Sequence, residues 1–173
     1  MTLTVTLLRH AKSSWGDVVL QDFDRPLSER GVRDAPRMAA WLASVKIAPD
    51  LVLCSTAART RQTLDAVRSA LPSAVDIQFV DALYMASATT ILASIRAVPV
   101  DVQHVMVIAH NPGLEQTAHK LIGAGDAQLR QALSDKFPSA GCAVIVFNQT
   151  KWSAIAEGGG TLLRWMTPRR LPA

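Results

Sequence analysis

Arg9 and His10 stand side by side after a short apolar run, Leu3–Leu8, and this is the first place in the chain where chemistry is possible. A neutral imidazole attacks phosphorus well when one ring nitrogen is free and the other is fixed by a hydrogen bond. A lone histidine after a strand is more often structural, but the neighbouring guanidinium, a planar fork that fits phosphate, shifts that balance. A second stretch, CSTAARTRQT (54–63), offers Ser55 or Thr56 as the cap of a helix whose free N–H groups favour an anion. Arg59, about one turn in, is favoured over Arg61 as the residue aimed at that anion, and Arg61 is expected on a solvated face. The third stretch, VIAHNPGL (107–114), leaves a strand at His110 and enters a helix near Pro112. An imidazole there could stabilise charge on a transferring phosphoryl group. His104, opening a strand, and His119, inside a helix, read as ordinary. Four residues separate Cys54 from Arg59 and six separate it from Arg61, so the Cys-x5-Arg spacing of cysteine phosphatases is missing and Cys54 reads as a buried strand end.

These residues need elements to hold them. Leu3–Leu8, Leu51–Cys54, Ile77–Val80 and His104–Ala109 are β-prone runs, and Leu51–Cys54 and His104–Ala109 are apolar on both faces, as expected of buried strands. Between them lie helical patterns. Val32, Ala35, Ala39, Leu42 and Val45 recur at helical spacing behind Ser28 as N-cap, with Pro36 predicting a kink or a late start. Ala57–Leu71, Ala88–Val98 and Gly113–Ile122 predict three further helices. The last third differs: Ala143–Phe147, Trp152–Ala156 and Leu162–Trp165 read as strands in hairpins, turning at Asn148–Lys151 and Gly158–Gly160. The expected fold is α/β: a three-layer helix-sheet-helix arrangement around a mainly parallel sheet with an antiparallel edge. Ligands of such sheets bind beyond the carboxyl ends of the strands, which is where His10, Ser55–Arg61 and His110 all fall.

Composition narrows the classes. A length of 173 residues suits one domain, 1–173, and 49% hydrophobic content excludes disorder. No apolar run approaches the roughly 20 residues that span a bilayer, and no signal-peptide pattern precedes Arg9, so an untargeted cytoplasmic chain without membrane partners is expected. Cys54 and Cys142 lie far apart in apolar segments, and no metal-ligand spacing occurs. The net charge of +4 comes from 13 arginines and five lysines. Arg164, Arg169 and Arg170 are too few, and too little interleaved with aromatics, to predict a nucleic-acid partner.

The stretches LLRHAKSSW (7–15), DFDRPLSERG (22–31), CSTAARTRQTL (54–64) and VIAHNPGL (107–114) together resemble the histidine phosphatase superfamily, the phosphoglycerate-mutase-like group, and within it the SixA-like phosphohistidine phosphatases. The resemblance implies His10 as the phosphate-accepting nucleophile, with Arg9, Arg59 and His110 completing a phosphate pocket and Arg25 binding substrate near it. It implies a phosphoglycerate-mutase-like fold and no metal or organic cofactor. Ala11 stands where the family's name-giving motif has glycine.

Many members also carry a carboxylic acid after the third strand. Here no glutamate occurs between Glu29 and Glu115, and Asp81 is the one carboxylate from Ile77 to Val100. Expelling an alkoxide is difficult without a proton donor, whereas an imidazole leaving group can already carry its proton. The expected substrate is therefore phosphohistidine on a protein. The alternative is a small phosphorylated metabolite with Asp81 as the acid, and a non-catalytic phosphate- or nucleic-acid-binding module stands behind both. The sequence gives no oligomeric state.

Overall fold

Seven strands join one sheet in the order β3-β2-β4-β1-β6-β7-β5, in a computed structural model that describes residues 2–16 and 19–172. The strands are β1 (Leu3–Arg9), β2 (Leu51–Ser55), β3 (Asp76–Val80), β4 (His104–Ala109), β5 (Ile122–Gly125), β6 (Cys142–Phe147) and β7 (Gly160–Met166). The helices are α1 (Glu29–Ser44), α2 (Ala58–Val67), α3 (Ala88–Arg96), α4 (Gly113–Leu121) and α5 (Ala127–Asp135).

Alternation along the central strands divides the core. Val105, Val107 and Ala109 of β4 pack with α3, α4 and Leu133 of α5, while Met106 and Ile108 pack with Met38 and Leu42 of α1 and Leu64 of α2. Side chains of a strand point alternately to its two faces, so an unbroken apolar run in a central strand supplies both layers. The three-layer α/β architecture is thus the one the sequence predicts.

The antiparallel element sits further inward than expected. Strand β6 runs antiparallel to both β1 and β7, which makes β7 parallel to β1 again, and the edge beyond it is β5, parallel to β7. Trp152–Ala156 is not a strand. Trp152–Ala154 forms a 3-10 turn that buries Trp152 and Ile155, three residues apart, and the Trp152 indole N–H donates to the Val102 carbonyl. Its apolar spacing is three, not the two of a strand. Two elements were not foreseen: the short strand β5, and α5, whose Asp126 caps Gln128 and Leu129.

Helix α1 begins where Ser28 caps it, its hydroxyl accepting from the Gly31 N–H at 3.2 Å, and passes through Pro36 without a late start. Helix α2 ends at Val67 in a 3-10 turn, short of the expected Leu71. No helix among the described residues is long and apolar enough to cross a membrane.

Candidate active site

Strands β2, β4 and β1 are neighbours and parallel, so their carboxyl ends deliver three loops to one spot. Register does the rest. Arg9 pairs with Ala109, so the next residues, His10 and His110, lie side by side with ring centroids 5.2 Å apart. Cys54 pairs with Ile108, which brings Ser55 to His110, its hydroxyl 2.7 Å from Nε2. Two glycines allow the surrounding backbone to close in. A Cβ on Gly31 would lie 2.1 Å from the Lys12 carbonyl oxygen, and one on Gly113 would lie 1.9 Å from that of Ala86.

His10 is buried, and its Nδ1 lies 2.7 Å from the carbonyl oxygen of Ala11. A carbonyl only accepts, so Nδ1 carries the proton and the Nε2 lone pair is free. Burial lowers the His10 pKa to about 3; the Ala11 bond opposes this, and His110, Arg59 and Arg9 add to the lowering. His110 is lowered to about 4, first by burial and then by Arg59. Both rings are therefore neutral near pH 7. Ala11, in the place of the motif's glycine, is fully buried and donates its N–H to the Thr63 hydroxyl at 2.9 Å.

Arg59 is only 2% exposed, and taking a guanidinium out of water costs several kcal/mol unless it is paired. Asp22 is the partner. Its backbone carbonyl accepts from Arg59 at 2.7 Å and its carboxylate at 3.1 Å. The same carboxylate accepts from the Tyr84 hydroxyl at 2.6 Å and from two nitrogens of Arg25 at 2.8 and 3.0 Å. The Tyr84 bond, Arg25 and Arg59 hold the Asp22 pKa down at about 2 against partial burial. Tyr84 also sets its ring edge-on to His110, centroids 5.5 Å apart.

The structure brings Arg9, His10, Arg59 and His110 together. Arg25 reaches the cluster through Asp22: its other bonds go to Ser13 and the Ser14 carbonyl, and its guanidinium stacks 3.6 Å from the Trp15 ring. Arg61 is exposed and lies over Phe79. Asp81 is exposed at the end of edge strand β3, and among the described residues its side chain makes no hydrogen bond or ion pair to the cluster. Neither Ser55 nor Thr56 caps α2; Ala57 holds that position, and the Ser55 hydroxyl serves His110 instead. Cys54 is buried and its thiol is pushed up to about 12 by burial.

Sequence reasoning missed Asp22, Ser55 as a partner of His110, and Tyr84. The local signal for Asp22 was its three-residue spacing to Arg25, and Tyr84 is the one tyrosine in the chain.

Among the described residues, five buried side-chain polar atoms lack a protein partner: Arg9 Nε, Thr56 Oγ1, Arg59 Nε, His110 Nδ1 and Asn111 Oδ1. All five lie at or just beyond the carboxyl ends of β1, β2 and β4, Arg59 in the first turn of α2. Buried polar groups are nearly always bonded, so orphans gathered around one nucleophile mark where a ligand's acceptors fit. Arginine and imidazole N–H groups suit phosphate oxygens.

A neutral histidine ringed by guanidinium and imidazole donors, at the carboxyl edge of a three-layer α/β sheet, defines the class: a phosphatase of phosphoglycerate-mutase-like fold. The chain belongs to the histidine phosphatase superfamily (branch 1), whose family model matches residues 5–84. It is similar to the candidate phosphohistidine phosphatase SixA of Agrobacterium tumefaciens, with 37% identity and a TM-score of 0.81 over 96% of this chain and 98% of that one. An uncharacterised protein of Mycobacterium tuberculosis is 35% identical over 94% of this chain and all of that one. A protein histidine phosphatase SixA complexed with tungstate shares the fold, with a TM-score of 0.75 at 24% identity over 96% of this chain and 98% of that one.

Proposed function

We propose that the chain hydrolyses phosphohistidine on a protein through a phosphorylated His10. Nε2 of His10 attacks phosphorus and the substrate's P–N bond breaks. The departing imidazole keeps the electron pair and leaves as a neutral ring if it entered protonated, otherwise taking a proton from solvent. Water then attacks the phosphorylated His10, and inorganic phosphate departs with His10 neutral again. The Nδ1 proton held by Ala11 keeps Nε2 pointed at the substrate in both halves. Arg9, Arg59 and His110 stabilise charge on the transferring group, and Arg25 acts by fixing Asp22 and so Arg59.

The observation that carries this reading is the set of buried side-chain nitrogens without a protein partner on Arg9, Arg59 and His110 around a nucleophile-ready His10. The choice of phosphohistidine over an alkyl ester rests on the carboxylates. Asp22, held near 2 and bonded to Arg25, Arg59 and Tyr84, stays ionised and cannot donate a proton near neutral pH. Asp81 is exposed, and among the described residues its side chain makes no hydrogen bond or ion pair to the cluster.

The test is phosphate release from phosphohistidine, phosphoserine, phosphotyrosine and sugar phosphates, with and without chelator. Phosphohistidine should be turned over fastest, with no loss on chelation, because guanidinium and imidazole donors supply the charge stabilisation. Faster turnover of a sugar phosphate would replace this reading with the small-metabolite one.

A further inference from the structure

A cationic cleft opens beside the site, on the β6–β7 side of His10. Its volume is about 430 Å³, and Arg9, Lys12, Arg30, Lys136, Arg169 and Arg170 line it, with no aspartate or glutamate among the described residues of its walls. These six cations come from separate parts of the chain: the end of β1 and the loop after it, the first turn of α1, the residue after α5, and the 3-10 turn that follows β7. Because β7 is parallel to β1, that last turn arrives at the edge of the sheet where His10 lies. Among the described residues Arg30 is paired with Asp34, whereas the side chains of Lys136, Arg169 and Arg170 make no hydrogen bond or ion pair.

Like charges gathered in one concave wall repel each other and focus a positive potential that concentrates anions. The cleft falls within the size range of ligand pockets and far exceeds one phosphate. Arg9 belongs both to this wall and to the cluster around His10, so one ligand can place a phosphoryl group at His10 and further negative charge in the cleft.

We propose that the cleft is a subsite for an acidic stretch of polypeptide flanking the phosphorylated residue, an inference that rests on the phosphohistidine reading above. The walls favour a polypeptide over a compact polyphosphate because the half-buried Ala132 and Pro138 place apolar surface among the cations. The opposite side of the site is an apolar rim. Trp15 is 72% exposed over Arg25, Met85 is 51% exposed against Arg59, and Phe23 is 38% exposed against Tyr84. A reacting centre between an apolar rim and a single-sign cleft has the make-up of a protein-docking face, where charge complementarity sets partner and register.

The experiment compares two phosphohistidine peptides, one flanked by aspartate and glutamate and one by asparagine and glutamine. Each is tested on the wild-type chain and on the triple variant Lys136→Gln, Arg169→Gln, Arg170→Gln. The acidic peptide should show about tenfold higher kcat/KM, the scale of a few exposed ion pairs, and the advantage should fall with salt. The triple variant should turn over both peptides equally and hydrolyse free phosphohistidine at the wild-type rate.

Equal kcat/KM for the two peptides on the wild-type chain, or an advantage that persists in the variant, would overturn the proposal. Fluorescence anisotropy of an unphosphorylated acidic peptide separates this failure from failure of the enzymatic reading. Binding that the triple variant loses supports the subsite even if no phosphohistidine is hydrolysed. Tighter binding of a single-stranded oligonucleotide or of inorganic tripolyphosphate overturns the assignment to polypeptide.

Discussion

Nδ1 of His10 lies 2.7 Å from the carbonyl oxygen of Ala11, the residue next to it in the chain. A backbone carbonyl one residue away is a fixed acceptor that no side-chain motion can remove, so the tautomer with Nε2 free is built into the turn after β1. The nucleophile is set by the backbone, while the cations around it are set by side chains.

His10→Ala should abolish turnover, because no other group in the cluster is placed to take the phosphoryl group. Rapid quenching under alkaline conditions with labelled substrate should find label on His10 in the wild-type chain and none in the variant. Substantial residual turnover would sink the nucleophile assignment.

The histidine pKa values make two linked expectations. His10 and His110 are held at about 3 and about 4, below the ordinary value near 6.5, so in NMR neither ring should titrate between pH 5.5 and 8. Below pH 6.5 the unfolded chain binds protons that the folded chain refuses. Stability therefore falls with pH from about 6.5 towards 4, by at most about 1.4 kcal/mol per pH unit for each histidine. Burial also lowers His104 to about 4, so denaturant unfolding at pH 7 and pH 5 reads all three rings, and equal midpoints would contradict their neutral burial.

Arg59→Lys should lower turnover by about 100- to 1,000-fold, since it keeps the charge and loses the fork that reaches both Asp22 and substrate. Arg61→Ala should cost at most a few-fold, because Arg61 lies exposed over Phe79. Steady-state kinetics on the same substrate decide between them, and the reverse order would place the wrong arginine at the phosphate.

Asp81→Asn should leave phosphohistidine turnover within about twofold, below the scale of general acid catalysis. Asp22→Asn should cost about 10- to 100-fold, because a guanidinium freed from its carboxylate partner loses its position. It should also lower the melting temperature, since buried Arg59 loses its counter-charge. A large loss in Asp81→Asn confined to alkyl phosphates would promote the metabolite reading, and a large loss on phosphohistidine would refute the argument that no acid is needed.

The sequence by itself determined the parts that depend on local pattern. Short β-prone, largely apolar runs marked β1, β2 and β4 as strands, and the rule that ligands sit at strand carboxyl ends marked Arg9, His10, Arg59 and His110. Ser28 was legible as a cap because capping is decided within three residues. Only the tertiary structure decided what depends on partners far along the chain. Strand β5, Ile-Gly-Ala-Gly, has no β pattern and is extended because β7 offers it backbone bonds. Trp152 and Ile155 form a turn rather than a strand because both side chains are drawn into the core that α3, α4 and the sheet already define. Asp22 meets Arg59, 37 positions away, and Tyr84, 62 away, because the loop after β1 folds back over the start of α2; no spacing rule reaches that far. Local chemistry fixed which residues could act, and long-range packing fixed which carboxylate stands beside them.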